Sequence, residues 1–140
     1  MSLYSELRDY LQTDASVNAL VQIVRMSYAE QTDSRPFVVI DPIVETRPGV
    51  NGLNAGGVVS ATVDVVCHAT TFEECHDIKE VIRLRLDHLA PGYMGAVHIQ
   101  QCLLNEITFS QPDPRQAQEA GLFVARMSFS IMATESNPEV

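Results

Sequence analysis

The stretch from Gly56 to Ala90 constrains this chain more than any other. It opens on a glycine pair, runs as a strand from Val58 to His68, turns at Ala69-Thr70-Thr71 and continues as a helix to Leu89. In the strand, Val59, Ala61, Val63, Val65 and Cys67 share one phase, and Ser60, Thr62, Asp64 and His68 take the other. Successive strand side chains point to opposite faces, so a sheet is expected that is packed on one side and wet, or touching a partner, on the other. Thr71 followed by Glu74 makes a capping box, and Glu73 and Glu74 suit the positive end of a helix dipole. Cys75, Ile78, Ile82, Leu86 and Leu89 then recur at spacings of 3, 4, 4 and 3. That apolar stripe is expected to lie on the Val59–Cys67 face, and Pro91-Gly92 stops the helix.

The rest of the chain can be arranged around this unit. Leu3, Leu7 and Leu11 recur every four residues from an N-cap at Ser2, which predicts a short helix with Glu6 and Asp9 outward. Asp14 should cap a further helical turn carrying Val17, Leu20 and Val21. Ile23, Val24 and Met26 read as extended chain, and residues 30–35 as a loop. Phe37 to Ile43 predicts a strand that ends at Pro42 or lies on an edge, because proline donates no ladder hydrogen bond. Residues 45–57 hold Pro48, Gly49, Asn51-Gly52, Asn54 and Gly56-Gly57 and read as a long hairpin turning at Asn-Gly. From Val97 to Phe109 the alternation slips near Gln100-Gln101, which predicts a bulge. Residues 111–121 form a second polar loop, residues 122–133 alternate as a last strand, and residues 134–140 should fray. The expected architecture is one α+β domain over residues 1–140. It has an antiparallel or mixed sheet of about four to five strands, one long helix packed on one face and a short N-terminal helix.

Charge excludes some functions. Eighteen acidic residues stand against nine basic ones, for a net charge of −9, and no basic cluster occurs. Nucleic-acid affinity depends on lysine and arginine neutralising phosphates, so sequence-specific binding of DNA or RNA is not expected. There is no apolar run long enough to span a membrane. Glu6, Arg8 and Asp9 stand where a secretory apolar segment would sit. Cys67, Cys75 and Cys102 form an odd, unpatterned set, read as reduced core thiols.

Cys67-His68 and Cys75-His76 could be drawn as two ligand pairs, but neighbours on a strand or helix diverge, and zinc-site spacing is absent. No G-x-S-x-G elbow accompanies Ser60, His98 and Asp64. His98 and Cys102 would stand ~13 Å apart along a strand, too far for a hydrogen bond. No catalytic residue, cofactor or metal is therefore expected. The two long loops and the polar strand face remain as contact candidates: Arg47, Asn51 and Asn54; Ser60, Thr62 and Asp64; and Asp113 and Arg115.

Several segments together resemble a family of tailed-phage minor tail proteins, the tail-completion or tail-to-head-joining group. They are Leu3-Tyr4-Ser5-Glu6-Leu7, Asp14 to Leu20, Pro36-Phe37-Val38-Val39, Val63 to Glu74, Leu84-Arg85-Leu86-Asp87 and Gly121 to Ile131. The resemblance implies a non-enzymatic virion protein, assembled in the host cytoplasm, that caps the head-proximal end of the tail tube and joins it to the head connector. It would be similar in role to the lambdoid tail terminator, which works as a six-fold ring. The implied partners are further copies of itself in a homo-hexamer, the tail tube protein and the head connector proteins. On this reading the acidic balance would suit a lumen that DNA slides past. A small metal- or ligand-dependent α+β enzyme and a generic oligomeric adaptor are the competing readings.

Overall fold

The computed structural model describes residues 3–21, 23–27, 36–47, 49–50, 53–54, 58–110 and 123–134. Helix α1 (Leu3–Thr13) buries Leu3, Leu7 and Leu11, the residues of its four-residue repeat. Its expected cap, Ser2, lies outside the described residues. The short helix α2 (Ala15–Asn18) follows, with the Asp14 carboxylate accepting from the N–H groups of Ser16 at 2.9 Å and Val17 at 3.1 Å. The chain then enters strands β1 (Val24–Met26), β2 (Phe37–Thr46), β3 (Gly49–Val50), β4 (Leu53–Asn54) and β5 (Val58–Ala69). Helix α3 (Phe72–Leu86) leads to β6 (Gly92–Met94), β7 (Val97–Ser110) and β8 (Phe123–Thr134).

Six of these strands form one sheet in the order β1-β2-β5-β8-β7-β6, and β3 and β4 pair separately. Neighbours in the large sheet are antiparallel except β1 and β2, which are parallel. This corrects the expected fold class. Most of the described residues are in strands, built on a six-stranded mixed sheet, and among them no long helix is laid along it. Helix α3 has 15 residues and spans ~22 Å at ~1.5 Å per residue. Strand β7 has 14 and spans ~46 Å at ~3.3 Å per residue. The two marginal strands explain the shortfall in the strand count. β1 and β6 have three residues each, too short for any alternation to show in sequence.

One buried cluster fills the inner face. Val59, Ala61, Val63, Val65 and Cys67 of β5 meet Ala125, Met127, Phe129, Ile131 and Ala133 of β8, with Cys75, Ile78, Ile82 and Leu86 of α3 and the leucines of α1. β5 and β8 pair without a register shift from Val58↔Thr134 to Ala69↔Phe123, so their inward residues stay in phase throughout. β7 does not hold phase. Its register shifts between Ile99 and Gln101, where the sequence alternation slips, and again between Leu104 and Glu106. β2 shifts between Pro42 and Val44 and, rather than ending at Pro42, continues to Thr46.

Helix α3 begins at Thr71, whose hydroxyl accepts from the Glu74 N–H at 3.1 Å, while Glu74 Oε1 accepts from the Thr70 N–H at 3.2 Å. It ends three residues before the expected Leu89. There His88 takes a left-handed φ of 56° and donates its N–H to the Cys102 carbonyl at 2.9 Å, and the Asp87 carboxylate accepts from the Leu104 N–H at 3.0 Å. Contacts to β7 thus set the end of the helix, not Pro91-Gly92. Glu6, expected outward, is buried at 6% exposure against Gly95 of the β6–β7 turn.

Candidate functional site

The outer face of the sheet carries Ser60, Thr62 and Asp64 of the residues expected to make contacts. Along β5 the outward phase is Ser60, Thr62, Asp64, Val66 and His68; on β8 these face Met132, Ser130, Ser128, Arg126 and Val124. Ser60 is exposed and Thr62 half-buried. Two amides from the bulges of β7 extend this surface. Asn105 donates to the Ser130 hydroxyl at 2.7 Å and Gln100 to that of Thr134 at 2.8 Å. A bulge inserts one residue and re-aims its side chain, which is how these amides reach across the strand.

Asp64 has a different setting from its neighbours. It sits directly opposite Asp41 of β2, and like charges opposed on a sheet repel. Arg126 bridges them: Nη1 lies 2.7 Å from Asp64 Oδ2 and 3.5 Å from Asp41 Oδ2. The Asp64 carboxylate accepts a hydrogen bond from the guanidinium and, with Asp41, holds its pKa above the usual arginine value. Beside this triad a shallow groove of about 260 Å³ is lined by Ser27, Val39, Asp41, Val66, His68 and Val124, together with Arg126. Phe37 stacks on His68 with centroids 4.6 Å apart, over a small cluster of Phe37, Val39 and Val66. The outer face is thus polar toward Ser60 and apolar toward His68.

Arg47 lies exposed just past β2 and donates Nε to Glu45 Oε2 at 2.7 Å. The Tyr4 hydroxyl donates to Glu45 Oε1 at 2.5 Å, and this bond, followed by the Arg47 one, holds the Glu45 carboxyl below its ordinary value. Asn54 pairs with Gly49 in the β3–β4 ladder, which brackets positions 51 and 52. Asn51, Asp113 and Arg115 lie outside the described residues. The structure thus brings Ser60, Thr62 and Asp64 onto one face and sets Arg47 just past the end of β2. Arg126 and Asp41 were missed by sequence reading. Arg126 stands in the outward phase of its strand, but the register that sets it against Asp64 cannot be seen in sequence.

The thiols are not arranged for chemistry. All three are buried, and burial pushes each upward, Cys102 to about 12, so they stay protonated near neutral pH. The Cys75 thiol donates to the Cys67 carbonyl at 3.8 Å, a core contact. Among the described residues no group of three or more His, Cys, Asp or Glu side chains could hold a metal ion.

The chain resembles known proteins in fold and in sequence pattern. Its fold is similar to that of a chain in the virion of a native gene transfer agent particle. That match has a TM-score of 0.62 and 14% identity and covers 95% of each chain. No curated protein sequence matches it. The model of the family described as tail completion protein gp17 matches residues 5–134. With nearly its whole length matched, the chain belongs to the gp17 tail-completion family and is a structural component of the phage virion tail.

Proposed function

We propose that the protein completes the tail by closing the head-proximal end of the tail tube as a ring, a homo-hexamer, and joins that end to the head connector. The observation that carries this reading is the family match over residues 5–134. Two features of the molecule support it. The outer face offers hydroxyl and amide groups, as suits contact with protein surfaces. The net charge of −9 would keep a DNA-filled lumen from binding the passing strand, since like charges repel.

Ser60, Thr62, Arg47 and the hairpin bearing Asn51 and Asn54 are the contacts proposed toward the tube or connector, as are Asp113 and Arg115 of the second loop. Asp64 acts through Arg126, keeping the face in order. Electron microscopy of the purified protein mixed with tail tubes tests the proposal. Six-fold rings seated on one end of each tube are expected. Tubes whose ends stay bare, with no rings in solution, would overturn it.

A further inference from the structure

The two margins of the six-stranded sheet are only partly covered. On β7, β6 pairs with Val97–Ile99, and the chain after α3 bonds to Cys102 and Leu104 through His88 and Asp87. Those bonds show which backbone groups point away from β8. Cys102 faces Ile131 and Leu104 faces Phe129; beyond the second bulge, Ile107 faces Met127 and Phe109 faces Ala125. All four partners share one phase of β8, so Ile107 and Phe109 also direct their N–H and C=O groups outward. Among the described residues no strand receives them.

The opposite margin repeats the pattern. β1 covers only Val38–Ile40 of β2, where Val38 N–H donates to the Ile23 carbonyl and Ile40 C=O accepts from the Ser27 N–H. Past the bulge, Glu45 faces Ala61 on the same phase of β5 that Val38 and Ile40 occupy through Cys67 and Val65. Its N–H and C=O therefore point outward beside Ile43 and Val44, 51% and 55% exposed.

Proteins usually guard open edges with bulges, prolines and charges. Here Pro42 and the bulges all precede the two open tips, and Val44–Thr46 and Glu106–Phe109 carry one carboxylate each. Phe72 and Phe109, 51% and 47% exposed with ring centroids 5.8 Å apart, form an apolar shelf at the β7 tip.

We infer that the β7 tip of one copy pairs with the β2 tip of the next, so that the sheet runs on from copy to copy. The occupant is a second copy because the two tips complement each other. β2 and β7 run antiparallel within the sheet, so copies repeating head to tail continue the alternation. In that pairing β1 and β6 fall beyond opposite ends of the new ladder and do not collide. The tips are offset by about five residues, ~16 Å along the strands, which a closed ring absorbs by inclining its strands to its axis. A head-to-tail contact of this kind closes into a ring when its rotation closes, whereas a self-paired edge gives only a dimer.

This inference rests on the ring reading, and cross-linking separates the two. The variant Ile43→Cys/Phe109→Cys is treated with a short bis-maleimide; the native thiols are buried and stay silent. A ladder of bands up to the ring number is expected, with none from either single variant alone. Rings seen by microscopy without a ladder, or cross-linking of Phe109→Cys with itself, would overturn the edge pairing and leave the ring standing. A protein that stays monomeric and leaves tubes uncapped overturns both. Hydrogen exchange needs no variant. The amides of Glu45, Ile107 and Phe109 should slow by about tenfold or more on assembly, and unchanged exchange in rings counts against the pairing.

Discussion

At the scale of single residues, two side-chain settings carry consequences that can be measured. Arg126 holds Asp64 and Asp41 together on the outer face. Arg126→Ala leaves two facing carboxylates, one of them 9% exposed, with no counter-charge. We predict a loss of about 1–2 kcal/mol in chemical denaturation, kept modest because the guanidinium side chain is 45% exposed. Adding Asp64→Asn should recover part of it; a double variant no more stable than Arg126→Ala would show that the pair contributes nothing. Gly95 is the second case. It has a φ of +62°, and a Cβ there would sit 1.7 Å from Glu6 Oε2. Gly95→Ala should cost about 1–2 kcal/mol from backbone strain and displacement of the carboxylate. Because the clash is with Glu6, Glu6→Ala should lessen the cost of Gly95→Ala, and strictly additive losses would remove that explanation. Neither setting could be read from sequence, since each joins residues more than sixty positions or several elements apart.

Among the elements, α3 is the best specified locally. Its cap at Thr71 and its stripe through Cys75, Ile78, Ile82 and Leu86 were legible because both follow from short spacings. Its end was not, because Asp87 and His88 are fixed by hydrogen bonds to β7. Helix α3 also carries an ion-pair group that joins the buried Lys79 to the partly exposed Glu80 and Arg83. Arg83, and then Lys79, hydrogen-bond to Glu80 and lower its carboxyl from 4.5 to about 2. The unfolded chain therefore takes up this proton first. The group's contribution to stability is full above pH 4.5 and fades as pH falls toward about 2. Glu80→Gln should flatten that part of the acid-side slope by lowering the denaturation midpoint at neutral pH, where the contribution is full, and leaving it nearly unchanged near pH 2. A slope identical to that of the parent protein would refute the assignment.

For the whole molecule, the core can be probed through its thiols. Cys67 and Cys75 are 0% exposed and Cys102 is 2% exposed, on β5, α3 and β7. All three should resist a thiol reagent in the native state and react together as the protein unfolds. Rapid labelling of one of them at neutral pH would show that its element opens alone. By itself, the sequence determined the inner faces of β5 and β8, the cap and apolar stripe of α3, the tail-completion resemblance and the polar phase through Ser60 and Thr62. These depend on periods of two and near four residues and on segment order, which are written along the chain. The tertiary structure alone decided that the sheet has six strands and is mixed, that α3 is short beside them, that Arg126 reaches Asp64, and that two strand tips are unpaired among the described residues. Three-residue strands carry no period, and strand order, register and edge exposure follow from pairing between distant segments.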